Sequence, residues 1–259
     1  MQAKFLLQRE VKNILECRRV KKSNFEVHFH SQIELYIVLG GAIEVIVNNH
    51  KKVLKRGDIS VALSYDTHGY RDIDNSEVYF LSIPTSLCGD FLTMSATKRL
   101  PSPFIDDPET YKLLADTAEC LFSAENDMMK KGYIYVILGA ILEKMTAETR
   151  TEPAENKFSA EMLIYVSEHF KEELSLLELA SHFGYNPSYL SRSFSQTFGI
   201  SFGRYLTMLR LREFVLLFGR GEQSVTECAL ECGFGSMRSF YRAFRDEFEC
   251  TPKEYFAKR

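Results

Sequence analysis

Two similar stretches near the carboxyl end decide how this sequence folds: residues 175–201, SLLELASHFGYNPSYLSRSFSQTFGIS, and residues 224–251, SVTECALECGFGSMRSFYRAFRDEFECT. Ser175 corresponds to Ser224, 49 positions later, and the same offset relates Gly184 to Gly233. Beyond the glycine the turn of the second copy is one residue longer, and later pairs lie 50 positions apart. Self-similarity at a fixed period indicates a structural unit that occurs twice.

Each copy carries the signals of a helix, a tight turn and a second helix. The opening pattern Ser-x-x-Glu is a capping box, in which both side chains accept hydrogen bonds from free N–H groups at a helix start. Gly184 and Gly233 suit the left-handed conformation that ends a helix in a tight turn. Asn186 and Ser236 can cap the helix that follows. The sequence therefore predicts two helix-turn-helix units.

The second helix of each unit has an apolar face and a polar face. Apolar side chains at helical spacing predict the buried face; they are Leu190, Phe194, Phe198, Phe240, Phe244 and Phe248. The other face carries short polar or bulky cationic side chains: Ser188, Ser191, Arg192, Ser195, Arg238, Tyr241, Arg242 and Arg245. No acidic residue lies between Glu178 and Glu213, or between Glu231 and Asp246. Such faces suit contact with phosphates and with the major groove; the alternative is a plain helical repeat with solvated arginines.

The composition of the whole chain fits a globular protein of two domains. Its 259 residues are 45% hydrophobic and 26% charged, which is enough apolar material for two cores. The formal net charge of −3 does not indicate a nucleic-acid partner. Only the local distribution of charge indicates one. The amino-terminal segment is too charged for a secretion signal, and no uncharged run reaches membrane-spanning length. We therefore expect a cytoplasmic protein without a membrane partner.

The six cysteines are scattered along the chain. Cys228 and Cys232 are four positions apart, but no second pair of cysteines or histidines completes the spacing of a zinc site. We expect reduced and mostly buried thiols.

The first third of the chain has the pattern of β-structure. Short apolar runs at 34–39, 42–47, 59–63 and 78–83 predict strands. The residues that separate them predict turns: Gly40-Gly41, Asn48-Asn49, Gly57-Asp58 and Asp74-Asn75. Several short strands at this spacing are typical of a barrel or sandwich.

In residues 107–146 the apolar side chains recur with the period of an α-helix. Pro108 marks a helix start, and one apolar stripe follows it: Tyr111, Leu114, Ala118, Leu121 and Phe122. A second helix is predicted from about residue 133 to residue 145. Residues 147–157 are polar and aperiodic, and we interpret them as a linker between domains.

Residues 158–255 resemble the DNA-binding domain of the AraC/XylS family of transcription regulators. The resemblance includes the closing residues of the second unit: Gly233, Phe234, Ser239, Phe240, Arg242, Phe244, Phe248, Thr251, Pro252 and Tyr255. It implies that a long helix over residues 202–218 joins the two units and that the reading helices enter successive major grooves of DNA. The positions that match base-reading residues are Ser188, Ser191, Arg192, Met237, Arg238, Tyr241 and Arg242; Ser195, Ser239 and Arg245 lie on the same two helices.

Two residues depart from the family pattern. Glu249 stands where a glycine is usual, which predicts a strained helix end. Phe256 stands where an arginine often follows the tyrosine, which predicts the loss of a phosphate contact.

The amino-terminal β-region resembles the cupin barrels. The pattern His28-x-His30-x-x-x-Glu34 resembles their first motif, and Gly57-Asp58 followed by His68 resembles their second. In metal-binding cupins the matching residues converge on one metal, and three imidazoles with a carboxylate suit Fe, Mn, Ni or Zn. Residues 28, 30 and 34 have equal parity, which places them on one face of a strand.

Three uses of these polar residues remain open. We favour the lining of an effector pocket, by His28, His30, Glu34, Tyr36 and His68, over a bound metal and over a purely structural role. Tyr36 is, like Tyr65 and Tyr79, a further candidate for the lining, although core packing is the better interpretation of each of the three. On this interpretation the protein has no cofactor.

The sequence thus predicts an α+β fold of two domains. A cupin-like β-barrel with trailing helices occupies residues 1–146, and an all-α domain with two helix-turn-helix units joined by a long helix occupies residues 158–259. We expect a DNA-binding transcription regulator controlled by a small molecule in the barrel, such as a sugar or related metabolite. The alternative is a metal-dependent cupin enzyme with an attached DNA-binding domain. The expected partners are double-stranded DNA, the effector, RNA polymerase, and a second copy bound through helices in residues 107–146.

Overall fold

The computed structural model describes residues 4–5, 9, 14–95, 98–147, 154–198, 200–221 and 223–257. Residues 14–147 form one compact unit, and residues 154–257 form another. The first unit is rich in strands and the second is helical, which confirms the predicted α+β fold of two domains. Residues 148–153 of the predicted linker lie outside the described residues. Among the described helices, none is long and apolar enough to cross a membrane.

The described strands, in chain order, are β1 (Lys4–Phe5), β2 (Glu16–Lys21), β3 (Asn24–Phe29), β4 (Ile33–Val47), β5 (His50–Lys55), β6 (Ile59–Ala62), β7 (His68–Ile83), β8 (Lys98–Arg99), β9 (Phe104–Ile105) and β10 (Thr146–Ala147). Strand β7 is central, because it pairs with β4 along one edge and with β2 and β3 along the other. Strand β4 also pairs with β5 and β6, and β6 pairs with β9. All these pairings are antiparallel, and a short pair of β8 and β10 lies apart from them.

The predicted turns at Gly40-Gly41 and Asp74-Asn75 are wrong, because β4 and β7 continue through them as long strands. The two sites face each other, since Ala42 pairs with both Asp74 and Asn75 where the register shifts. Gly41 has a φ of 68°, and a Cβ atom there would lie 2.2 Å from the carbonyl oxygen of Asp74. The glycine pair is therefore a β-bulge, which bends the strand without ending it.

The alternation of side chains along β4 and β7 separates two apolar cores in the first unit. One core is formed by side chains of the strands and contains Tyr36, Val38, Tyr70, Val78 and Phe80. The other core lies under the trailing helices and contains neighbours of opposite parity, such as Ile33, Leu35, Ile37, Leu81 and Ile83. Tyr79 belongs to this second core, and Tyr65 is also buried. Both positions agree with the interpretation that these side chains pack in the core.

The described helices are α1 (Gly89–Ser95), α2 (Pro108–Ser123), α3 (Asp127–Lys144), α4 (Ala154–His169), α5 (Leu176–Phe183), α6 (Pro187–Phe198), α7 (Phe202–Phe218), α8 (Val225–Glu231), α9 (Met237–Phe248) and α10 (Pro252–Ala257). Asp107 caps α2 by accepting from the backbone N–H of Thr110 at 3.0 Å. Leu114, Ala118 and Leu121 of the predicted stripe are buried, whereas Phe122 is half exposed.

Two predicted helix starts differ from the structure. Helix α3 begins at Asp127 rather than near residue 133, because Asn126 accepts hydrogen bonds from Met128 and Met129 and caps a polar first turn. Helix α4 begins at Ala154, so that residues 154–157 of the predicted linker are helical. In both places the first turn lacks the apolar periodicity that marks a helix in the sequence, although its residues favour helix.

The second unit contains both predicted helix-turn-helix units. The capping boxes of Ser175 with Glu178 and of Ser224 with Glu227 both form. Helix α7 joins the two units over the range that the resemblance implies. The predicted buried face is confirmed for Leu190, Phe194, Phe198, Phe240 and Phe244, each at most 2% exposed, and Phe248 is half-buried.

The two departures from the family pattern have visible consequences. Glu249 ends α9 with a φ of 57°, a left-handed conformation that favours glycine, which confirms the predicted strain. Phe256 packs against Phe218 of the connecting helix, with ring centroids 4.9 Å apart. The side chain at this position therefore supports the domain core.

Candidate functional site

The two reading helices, α6 and α9, present the polar face that the sequence predicts. Ser188, Ser191 and Arg192 are exposed on α6, and Ser195 is half-buried. Arg238, Tyr241, Arg242 and Arg245 are exposed on α9, whereas Met237 and Ser239 are half-buried. The structure thus leaves the long cationic side chains of both helices in solvent, where a DNA groove can reach them.

Side-chain caps fix where each reading helix begins. The Oδ1 atom of Asn186 accepts from the backbone N–H of Ser188 at 2.9 Å. The Oγ atom of Ser236 accepts from the backbone N–H of Ser239 at 3.2 Å, and Ser239 Oγ donates back to the carbonyl of Ser236 at 2.7 Å. The hydroxyl of Ser239 is therefore used in starting α9, which weakens its candidacy as a base-reading group.

The side chains of α9 divide between two flanks of the helix. Arg238, Tyr241 and Arg245 lie on one flank. Arg242 and Asp246 lie on the other, where they line a cleft of about 330 Å³ between α7 and α9. Arg192 has a different environment on α6, because its Nε atom donates to the carbonyl of Ser188 at 3.2 Å and the side chain lies along its own helix.

Two arginines that contribute to the cationic character of this sequence are used inside the unit. Arg204 of α7 forms an ion pair with Glu247 of α9. Arg210 of α7 donates to the carbonyl oxygens of Phe170 and Glu172, each at 2.8 Å. Spacing alone did not separate these structural arginines from those on the reading helices.

Four polar residues converge inside the first unit: His28, His30, Glu34 and His68. His28 on β3 pairs with His68 at the start of β7, and Glu34 lies on the adjoining strand β4. Their ligand atoms all lie within 4.8 Å of one another, and each residue is at most 3% exposed. The structure thus brings together all four residues of the cupin pattern.

Backbone carbonyls orient two of the histidine rings. The Nδ1 atom of His28 lies 2.7 Å from the carbonyl oxygen of Glu26, and Nδ1 of His68 lies 2.7 Å from that of Asp66. A carbonyl oxygen only accepts, so both Nδ1 atoms carry the proton and donate it. In a neutral ring of this tautomer Nε2 offers a lone pair, and Nε2 of His28 makes no hydrogen bond.

The carboxylate of Glu34 closes the cluster. Its Oε1 atom lies 3.0 Å from Nε2 of His30, and its Oε2 atom lies 3.3 Å from Nε2 of His68. Burial raises the pKa of Glu34, but His68 and His30 outweigh burial and hold that pKa well below its usual value. Burial, together with the neighbouring His68, lowers the pKa of His28 to about 3, so that this imidazole is neutral at pH 7.

These residues fit a transition-metal ion. The buried Nε2 atom of His28 makes no hydrogen bond, and ligand atoms of His30, Glu34 and His68 lie within 4.8 Å of it and of one another. Three imidazoles and a carboxylate are the donor set that Fe, Mn, Ni and Zn prefer. The carbonyls behind His28 and His68 are the partners that usually hold metal-binding imidazoles in place.

A second layer that the sequence did not predict supports His68. The half-buried carboxylate of Asp66 accepts from Asn48 Nδ2 and from the backbone N–H of Leu63, both at 2.8 Å. Asn48 Oδ1 in turn accepts from the backbone N–H of Thr67 at 3.0 Å. The signal available in the sequence was the aspartate two residues before a candidate ligand.

Tyr36 lies behind the cluster. Its ring stacks on Tyr70 with centroids 3.6 Å apart, and its hydroxyl lies 2.9 Å from Ser23 Oγ. The hydroxyl of Tyr70 reaches Glu34 Oε2 at 3.4 Å. Tyr36 thus supports the cluster through Tyr70, which the sequence analysis did not select.

Two family models match the chain on the segments that contain these sites. A helix-turn-helix domain matches residues 179–258, and a cupin domain matches residues 19–84. The match of 179–258 covers both reading helices, and that of 19–84 contains all four residues of the buried cluster.

Known proteins are similar to this chain over different lengths. An uncharacterized HTH-type transcriptional regulator of Staphylococcus aureus (strain COL) is 36% identical over 95 residues, which are 37% of this chain and 13% of that protein. The chain thus spans a small part of such relatives. The HTH-type transcriptional activator RhaS of Enterobacter sp. (strain 638) is 24% identical over 248 residues, which are 91% of this chain and 89% of that protein. The solved structure of ToxT from Vibrio cholerae aligns with 93% of this chain and 97% of its own, at 13% identity and a TM-score of 0.45.

Proposed function

We propose that this protein is a sequence-specific DNA-binding transcription regulator. The observation that carries the proposal is the pair of capped, solvent-exposed reading helices with arginine side chains on a face that lacks acidic residues until Asp246. Fixed helix starts hold these side chains in register with the groove, and arginines supply contacts to phosphates and guanine edges. The similarity to a transcriptional activator over most of both chains supports this proposal. RNA polymerase is then a further partner, and the site of action is the cytoplasm.

The DNA-binding proposal is tested by selection from a random duplex library with a fragment of residues 154–259, the segment that forms the second compact unit. We expect one duplex family to be enriched. Its affinity should fall as salt rises, with a log–log slope of about −0.9 for each neutralised phosphate. A fragment that is folded by circular dichroism yet enriches no duplex would contradict the proposal.

We propose that the cupin unit is the sensor and that its buried cluster holds a divalent transition metal, in place of the pocket without a cofactor that the sequence analysis favours. The predicted pocket residues His28, His30, Glu34 and His68 would be the ligands, for the reasons of geometry given above. A bound metal would offer a Lewis-acidic centre for an oxygen ligand of an effector, such as a hydroxyl or carboxylate. The near-complete burial of all four side chains favours a regulatory or structural role over turnover of substrates.

We propose that α3 forms the interface with a second copy of this chain. Its outer face carries exposed apolar side chains, with Met128 75%, Tyr135 54% and Val136 44% exposed. Gly132 and Gly139 lie on the same face, and a Cβ atom at either would meet nothing within 4 Å. Each glycine costs a helix interior about 1 kcal/mol relative to alanine, and it leaves room for close approach of another helix.

Replacing Val136 with glutamate should weaken self-association of the full-length chain by about tenfold or more, because a charge would be buried in an apolar interface. Sedimentation equilibrium measures the change. Ile73→Glu is the matched control, since Ile73 is 46% exposed on β7. Equal dissociation constants for Val136→Glu and the wild type would exclude α3 as the interface.

A further inference from the structure

Three segments of the DNA-binding unit meet at Arg210 in the connecting helix α7. The first segment is the turn between α4 and α5, whose carbonyl oxygens at Phe170 and Glu172 accept from Arg210 Nε and Nη2, each at 2.8 Å. These carbonyls follow the end of α4, where no further helical turn supplies them with donors. The guanidinium is planar, so that two such bonds fix both the position and the angle of the turn.

The second segment is α7 itself, and the third is the turn of the second helix-turn-helix unit. Gly233 in that turn has a φ of 87°, and a Cβ atom there would lie 2.6 Å from the carbonyl oxygen of Lys171 and 3.0 Å from Arg210 Nε. The turn before the first reading unit and the turn within the second are thus in contact, with Arg210 beside both. Lys171 and Glu213 add an ion pair of 2.7 Å between the α4–α5 turn and α7.

The reading helix of the second unit is tied to the same connecting helix. Arg204 of α7 pairs with Glu247 of α9, one turn and a half before Arg210. Helix α7 therefore holds α9 through Arg204 and the start of the first unit through Arg210. Rotation of one unit about α7 would break the contacts at Arg210.

We propose that Arg210 is a positioning residue that sets the separation between the two reading helices, and hence the spacing of the two half-sites that one chain reads on DNA. This inference rests on the proposed DNA-binding function. It assigns Arg210 no contact with DNA. Two modules at a fixed separation bind a matching pair of sites far more tightly than either site alone, and this gain is lost when the separation varies.

The test uses the full-length chain and the duplex that the wild type selects from a random library. Three duplexes are compared: the selected one, one with a single half-site scrambled, and one with the half-sites moved apart by one base pair. The variant is Arg210→Met, which keeps the aliphatic stem and removes the donors. Arg220→Met is the control, because Arg220 is exposed after the end of α7. Arg210→Lys, which keeps the charge with different geometry, repeats the test if Arg210→Met does not fold.

We expect Arg210→Met to lose affinity about tenfold or more for the intact duplex, to stay within about twofold of wild type on the single half-site, and to discriminate less against the shifted spacing. Its salt slope should not change, whereas loss of a phosphate contact would lower it by about one. An equal loss on the intact and single-site duplexes, or a lower salt slope, would overturn the inference in favour of direct DNA contact. Unchanged binding to all three duplexes would also overturn it. Failure of the wild type to select any duplex would instead contradict the proposed function, and this inference with it.

Discussion

Replacing Arg192 with alanine should relax the sequence preference of the protein at one base-pair position. The short side chains of Ser188 and Ser191 beside it are exposed and let α6 enter the groove deeply. A guanidinium that reaches a guanine edge with two hydrogen bonds discriminates by about 1–3 kcal/mol. The expected loss of preference is therefore roughly 5-fold to 150-fold at that position, measured against single-base variants of the selected duplex.

Arg242→Ala should give a different result, although Arg242 occupies the equivalent place in the repeat. Arg242 lies with Asp246 on the flank that faces the cleft beside α7, and we expect its bulky neighbours to hold α9 further from the bases. We expect uniformly weaker binding to all sequences and a salt slope lower by about one, the signature of a lost phosphate contact. Arg220→Ala serves as the control for both variants. If both variants kept the affinity and preference of the wild type, the assigned DNA-facing surface would be wrong.

The largest expected change in stability comes from metal. Full-length protein should bind one divalent transition metal per chain, and elemental analysis after gel filtration measures this ratio. Metal at about a hundredfold excess over its Kd would stabilise the fold by about 2.7 kcal/mol, which for a chain of this size raises Tm by roughly 5–11 °C. His68→Ala should abolish both the stoichiometric metal and the metal-induced shift in Tm, because it removes a ligand from the centre of the cluster.

His50→Ala is the matched control for this experiment, since His50 is exposed on β5 and outside the cluster. It should keep the full metal content and the full shift. A wild-type protein that binds no stoichiometric metal, or a His68→Ala variant that binds as much as the wild type, would return the cluster to the role of effector lining.

Features that depend on neighbours in sequence were predictable. The capping boxes, Gly184 in its turn and the buried faces of α6 and α9 each follow from local rules of helix formation. The repeat shows these local patterns in two copies. The convergence of His28, His30, Glu34 and His68 was also anticipated, because the resemblance supplied the long-range pairing of β3 with β7.

Features that depend on distant partners were not predictable. Gly40-Gly41 has the local pattern of a turn, and only the opposed bulge at Asn75 shows that β4 continues. Arg204 and Arg210 have the same chemistry as Arg192, and their roles are decided by Glu247 and by two carbonyls that the sequence places some forty residues away. The support of His68 by Asn48 and Asp66 likewise exists only once the strands have assembled.

The central position of β7 determines the order in which the first unit can fold during synthesis. Strands β2 and β3 pair with residues of β7 that leave the ribosome about 40 to 66 residues later. At 5–20 residues per second this delay is roughly 2–13 s, during which neither strand has this partner. The helical unit that follows forms from local contacts as it emerges. Nascent chains of increasing length should therefore acquire protease resistance in the first unit only after Ile83, the last residue of β7, has left the exit tunnel.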